Sequence, residues 1–297
     1  MTKKYFFISL FLLILPASKL FSQASWEPFG QNRVQYRSYS WKYYDSTHFR
    51  TFYYDKGNAH AVYALNVAEQ ELAHIVYMMG GRLHKKLNII IYNSFGEFKQ
   101  TNIGRKNDAL NLANGGKIEV IGDNIPVYFN GDHNQLKKQI TKGIAAVIKD
   151  NMLFGDNIKD VVKNAVKMNL PEWYTLGYVT YIAEDWSAEK TAELQYLLNL
   201  ASKNKITDAA LSKPNIVGHS FWHFIAKVYG ENYISNLLYL TRYRKSVNNA
   251  LEMVIRKPYA EIVAEWQNFY TKIDSSKVPP SIQVENTNIL AKIKTKA

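Results

Sequence analysis

The chain has 297 residues, 47% of them hydrophobic, no cysteine and a formal charge of +12. That length and apolar content suffice to bury a core without covalent staples, and the missing thiols exclude disulfides, thiolate metal sites and a cysteine nucleophile. The positive balance favours contact with anionic lipid, acidic glycan or an acidic protein face, or is simply a basic soluble surface, since the lysines are spread along the chain.

Residues 1–24 read as a secretory signal: Lys3 and Lys4, then an apolar stretch over 5–15, then the small-x-small site Ser22-Gln23-Ala24. The apolar stretch, about 11 residues, falls short of the roughly 20 that span a bilayer. Export to the periplasm or the outer membrane is therefore expected, without a lipid-bearing cysteine and without a transmembrane helix. Residues 25–44, rich in Tyr, Trp and Arg, read as an extended arm. Residues 48–55 are strand-like. Val62, Leu65, Ala68, Leu72, Ile75 and Val76 predict a helix over 57–79, stopped by Gly80-Gly81. The unbroken apolar run at 87–92 predicts a strand covered on both faces. Short strands are expected at 117–121, carrying Ile118 and Val120, and at 126–129, around the turn Gly122-Asp123-Asn124. They would form the sheet edge facing a cleft.

The helix over 134–153 organises the rest. Leu136, Ile140, Ile144, Val147 and Ile148 recur at helical spacing and require a core to sit against. Further helices are expected at 158–168, 172–184, 188–202, 218–228, 233–241 and 258–272. Sheet first and helices after predict an α+β domain, divided into an arm and sheet part (25–133) and a helical part (134–273). The polar residues 274–297, with Ser275-Ser276 and Pro279-Pro280, form a tail that is flexible or docks Ile282, Val284, Ile289, Leu290 and Ile293 on a partner.

In a zinc peptidase a helix such as 134–153 carries His-Glu-x-x-His, two imidazoles on one face with a glutamate as base. Here the positions read Lys142, Gly143, Ile144, Ala145, Ala146. Downstream comes Leu170-Pro171-Glu172-Trp173-Tyr174-Thr175-Leu176-Gly177-Tyr178-Val179-Thr180-Tyr181. Then follow Gly218-His219-Ser220-Phe221-Trp222, Tyr229-Gly230-Glu231 and Ala260-Glu261-Ile262. With Phe29-Gly30-Gln31-Asn32-Arg33 and Ile89-Ile90-Ile91-Tyr92, this series resembles the gluzincin metallopeptidases, in particular a bacterial envelope branch that often carries a TolB-like β-propeller. The resemblance, over most of 29–272, implies a zincin-like fold: a small mixed sheet, a long helix and a mostly helical second half. It also implies the metal positions, with Lys142, Ala146 and Leu176 at the three ligands and Gly143 at the catalytic glutamate. None of these residues can hold zinc. What the resemblance then implies is a pseudopeptidase without metal or cofactor, a partner-binding subunit of an envelope assembly associated with outer-membrane protein insertion or export. A zincin cleft is bordered by a strand edge and can take an extended peptide by strand addition. Lys142, Trp173, Ile118 and Val120 are the candidate cleft residues.

Two other readings stand beside it: a hydrolase with a relocated site at His219 and His223, and a free periplasmic peptide-binding protein. The histidines are four apart, a spacing that suits a metal, but the glutamate after the first is missing and Phe221, Trp222 and Phe224 around them suit a packed helix. Lys142 is expected as a solvated lysine, or else as an ammonium standing where zinc would be and holding the cleft together. Glu172, Glu184 and Asp185 are expected on the solvated surface. Ser220 lacks the glycine-flanked elbow of a serine nucleophile, and Gly115-Gly116 lacks the spacing of a phosphate loop. Nucleic acid is not an expected partner of an exported chain.

Overall fold

The structure is a computed structural model that describes residues 35–101, 120–155, 168, 170–200 and 205–271. Strands β1 (Lys42–Asp45), β2 (Phe49–Tyr53), β3 (Leu87–Tyr92) and β4 (Asn124–Tyr128) form one sheet in that spatial order. β1 runs antiparallel to β2, and the remaining pairs are parallel. Parallel neighbours need a crossover, and between β2 and β3 it is helix α1 (Asn58–Met79), closed by Gly80 at φ 67°, whose N–H donates to the Val76 carbonyl. Alternation sorts the side chains. Phe49, Thr51 and Tyr53 of β2 and Leu87, Ile89 and Ile91 of β3 are buried toward the helices. The register sets Ile89 beside Ile125 and Ile91 beside Val127, a continuous aliphatic layer.

The opposite face is covered by aromatics: Tyr54, Tyr92 and Phe98, with Tyr39, Phe95 and Tyr128 packed around them. Phe95 and Phe98 come from α2 (Phe95–Phe98), whose Ser94 hydroxyl accepts from the Glu97 N–H. β3 is therefore covered on both sides, as its run of isoleucines implies. β1, except for Asp45, lies in the stretch expected as an extended arm. Its side chains are all exposed, so no alternation marks it in the sequence.

Helix α3 (His133–Phe154) starts at Asp132, whose carboxylate accepts from the Asn134 N–H. Every residue from Gln139 to Ile148 is buried, because this segment lies between the sheet, α1 and the helices that follow. The approach to the sheet is close: a Cβ on Gly143 would stand 2.1 Å from Ile125 Cγ2. After it come α4 (Glu172–Ala183), α5 (Ala188–Leu200), α6 (Lys205–Ser212), α7 (Pro214–Val228), α8 (Asn232–Arg244), α9 (Val247–Ile255) and α10 (Tyr259–Thr271). α4 and α7 meet backbone to backbone, since a Cβ on Gly218 would lie 1.7 Å from the Trp173 carbonyl oxygen and one on Gly177 2.1 Å from Gly218 C. Trp222 Nε1 donates across this contact to the Tyr174 carbonyl at 2.9 Å.

The architecture is thus α+β as expected. α6 and α9 were not anticipated, and α7 begins at Pro214 rather than at Gly218, since proline at the first helical position starts a helix without losing a bond. Residues 1–24, expected as a leader, most of the expected helix at 158–168, Ile118 and residues 274–297, expected as a tail, lie outside the described residues. None of the described helices is long and apolar enough to cross a membrane.

Candidate functional site

Five helices, α3 to α7, contribute to the lining of a cavity of about 590 Å³. Its floor is an ionic cluster. Lys142, from the middle of α3, sets Nζ 2.5 Å from Glu184 Oε1, with the two side chains 4% and 8% exposed. Lys190, from the first turn of α5, sets Nζ 2.9 Å from Glu184 Oε2 and also donates to the Asp185 carbonyl. Glu184 caps the C-terminal end of α4 and holds both cations. Lys138 lines the same cavity, one turn before Lys142 on the same face of α3.

These geometries fix the charge states. Burial pushes the Glu184 carboxyl upward, but Lys142 and Lys190 more than offset it, and its pKa falls to about 2. Burial draws the Lys142 ammonium down despite Glu184, with the nearby lysines pulling the same way. Glu184 has a cation on each oxygen, which holds its carboxylate ionised between the two lysines. Two expectations are corrected here. Lys142 is not a solvated lysine, and Glu184 is not a surface carboxylate, because the end of α4 turns its last side chain back against α3. Glu172 and Asp185 are exposed as expected.

His219, on α7, lines the cavity wall beside this cluster. It is 1% exposed, and neither ring nitrogen has a hydrogen-bond partner among the described residues. Burial lowers its pKa well below the ordinary histidine range, with Lys190 adding to the effect, so the ring is neutral. His223 is placed differently. Its Nδ1 is 2.7 Å from the Tyr270 hydroxyl, which itself donates to the Ser220 carbonyl, so Nδ1 carries the proton. Burial takes the His223 pKa down to about 4. Trp186 lies against both rings, edge-on to His219 at 5.0 Å and stacked on His223 at 5.2 Å. Among the described residues, no group of three or more His, Cys, Asp or Glu is placed to hold a metal ion. Ser220 is tied down, its hydroxyl donating to the Val217 carbonyl and accepting from Trp266 Nε1.

The other candidate positions are absorbed into packing. Gly143 abuts Ile125, Ala146 is buried in the core, and Leu176 is half-buried on α4. Trp173 packs against Phe221 at 5.2 Å and Trp266 at 5.5 Å. Val120 is half-buried against the core. The edge of β4 is also occupied. Asp123 and Phe129 bond to β3, which turns the backbone groups of Asn124, Pro126 and Tyr128 outward. Asn124 exchanges two bonds of 3.0 Å with Ile121, and proline has no N–H. Tyr128 donates to Gln139 Oε1 at 3.1 Å and accepts from Gln139 Nε2 at 2.9 Å. Among the described residues the β4 edge presents no open ladder to an added strand, and residues 117–119 of the expected edge strand lie outside the described residues.

What was not anticipated is the set formed by Lys138, Thr180, Lys190 and Gln139. Their roles depend on which helix faces which, and no local pattern in the sequence carries that. Chemically the cavity offers fixed cations, one buried carboxylate and one neutral imidazole. Compared with known proteins, the chain matches no family model and no curated sequence.

Proposed function

We propose that this chain is a non-catalytic relative of the gluzincin peptidases, a zincin-like domain that acts as a partner-binding subunit of an envelope assembly, at the outer membrane and its protein insertion or export machinery. The observation that carries the reading is the buried Lys142–Glu184 pair. In the resemblance, Lys142 stands at the first metal ligand, and a fixed ammonium there repels a divalent cation instead of donating to it. Gly143 supports the same reading: its Cβ position is filled by Ile125, so the place of the catalytic base has no room for a side chain. A shape kept while its chemistry is replaced by packing and an internal ion pair suits binding rather than turnover.

The surface that serves this role best is the β1 side of the sheet. Among the described residues β1 is an edge strand, with Trp41 just before it and Tyr43 and Tyr44 on it exposed. Aromatic side chains at an open edge are the elements from which strand-mediated interfaces are built. The outer-membrane assignment rests on the resemblance and on the leader-like residues 1–24.

The test is affinity purification of the tagged chain from detergent-solubilised envelopes, with mass spectrometry and metal analysis of the same sample. A stoichiometric outer-membrane complex without zinc is expected. A chain purified alone with about one zinc per molecule, lost in a His219→Ala, His223→Ala variant, would overturn the reading in favour of a relocated hydrolytic site.

A further inference from the structure

We infer that the face formed by the C-terminal end of α1 and the outer side of α8 is a contact surface for an anionic phospholipid bilayer. The inference rests on the proposed function only for the envelope setting, and not on the metal positions or on β1.

The first observation is a row of tyrosines turned out of the molecule. α8 buries Ile234, Leu237, Leu238 and Thr241 on one side, while Tyr239 and Tyr243, one turn apart on the other, are 65% and 71% exposed. Tyr77, in the last turn of α1, is 81% exposed. The two helices meet beside these rings, since a Cβ on Gly80 would stand 3.2 Å from Ser235 Cβ. Gly80 follows Tyr77 by about a turn and Ser235 precedes Tyr239 by one, so the three tyrosines share one side of the fold.

The second observation is charge. Neither 72–96 nor 232–251 contains an aspartate or glutamate, yet the two stretches carry Arg82, Lys85, Lys86, Arg242, Arg244 and Lys245. Lys85 and Lys86 are answered by Asp123 and Asp45, and Arg242 donates to the Met152 carbonyl. Arg82, Arg244 and Lys245 are exposed and make no ion pair among the described residues. Arg244 lies instead over the Tyr243 ring, 6.0 Å from its centre. The carboxylates that come nearest in the packing are engaged elsewhere: Asp150, at the end of α3, sits 2.8 Å from Lys149, and Glu252 accepts from the Tyr259 N–H. The surface therefore has a positive excess interleaved with aromatic rings.

These two features together select the partner. A tyrosine ring has an apolar body and a polar tip and settles at the level of lipid headgroups. Unpaired arginines and lysines beside it are drawn to anionic headgroups, and the two weak attachments add up to reversible binding. A protein partner would be expected to seat an anchor side chain in a pocket. The tyrosines and free cations of this face project from two helices, and none of them lines the cavity described above. Protruding rings and cations of this kind match a flat charged surface.

The experiment is co-sedimentation of the purified full chain with vesicles of phosphatidylglycerol and phosphatidylethanolamine, and with vesicles of phosphatidylcholine alone. The expected result is binding to the first and not to the second, weakened by added salt. The double variant Arg244→Gln, Lys245→Gln should bind about thirtyfold more weakly. Tyr239→Ser with Tyr243→Ser should also weaken binding but leave its salt dependence unchanged. All four positions are exposed, and circular dichroism confirms that the variants keep the fold. Lys42→Gln with Lys99→Gln removes the same charge from the sheet side of the molecule and should leave binding as it was. An equal loss in that control would mean that total charge, not this face, holds the chain to lipid, and would overturn the inference. So would binding to neither vesicle, which would leave the face to an acidic protein surface.

Discussion

Lys142 Nζ and Glu184 Oε1 lie 2.5 Å apart, joining the middle of α3 to the end of α4 with both side chains almost wholly removed from solvent. Breaking such a pair is worse than never having had it, because the remaining charge stays buried. Lys142→Met and Glu184→Leu are each expected to cost about 3–5 kcal/mol, while the two together recover most of the loss. Urea unfolding of the two single variants and the double variant, read as a cycle, gives the coupling. Additive single losses would show that the pair does not join the helices energetically.

Acid should destabilise the chain in two overlapping steps of the same sign. His219 and His223 have pKa values lowered from 6.5, His223 to about 4, so the unfolded chain binds protons that the folded chain refuses. Their contribution is complete above pH 6.5 and is lost as the pH falls from there, for His223 through about 4. Glu184, depressed from 4.5 to about 2, adds a further loss below pH 4.5. Thermal midpoints measured across this range should fall continuously, and His223→Gln should flatten the upper part of the limb. A midpoint unchanged down to pH 4.5 would refute the neutral, buried imidazoles.

Gly143 is expected to be intolerant although it lies within a helix, where alanine is ordinarily better by about 1 kcal/mol. Gly143→Ala puts a methyl group 2.1 Å from Ile125 Cγ2, and overpacking of that kind costs about 1–3 kcal/mol. Combined with Ile125→Ala, the substitution should cost less than the sum of the two, since the new methyl occupies the space vacated. Circular-dichroism melts of the four proteins decide it. A stabilised Gly143→Ala would mean that α3 and β4 are further apart than described.

Gln139→Leu keeps the volume and removes the two bonds to Tyr128. Each orphaned backbone group costs about 1–3 kcal/mol, and the loss should appear locally as faster hydrogen exchange of the Tyr128 amide. Unchanged exchange would show that β4 is held without its glutamine.

The sheet and α3 were legible because burial there follows a short period. Leu136, Ile140, Ile144 and Ile148 mark one stripe, and Leu87 to Tyr92 is apolar on both faces. β1 was not legible, since Lys42, Tyr43, Tyr44 and Asp45 are all exposed and no alternation distinguishes them from an arm. α9 carries a usable signal that went unread: Ser246, whose hydroxyl accepts from the Asn249 N–H, opens the apolar run to Ile255. The cavity lay beyond any such reading. Lys142, Glu184, Lys190 and His219 sit on separate elements, and Glu184 has the local sequence of an ordinary surface position until α4 is packed against α3 and α7. Similarly, Gln139 reads as one polar residue on an apolar helix; only the sheet beside it shows what its amide does.

The side-chain amide of Gln139 on Tyr128 limits how copies of this chain can join. A sheet with two free edges can be extended without end, one molecule adding to the next. Among the described residues the β4 side is closed by Gln139, Pro126 and the Ile121 bridge, which leaves β1 as the open edge. Two molecules meeting β1 to β1 use up the open edge of each, so edge-to-edge association through the described strands ends at a pair.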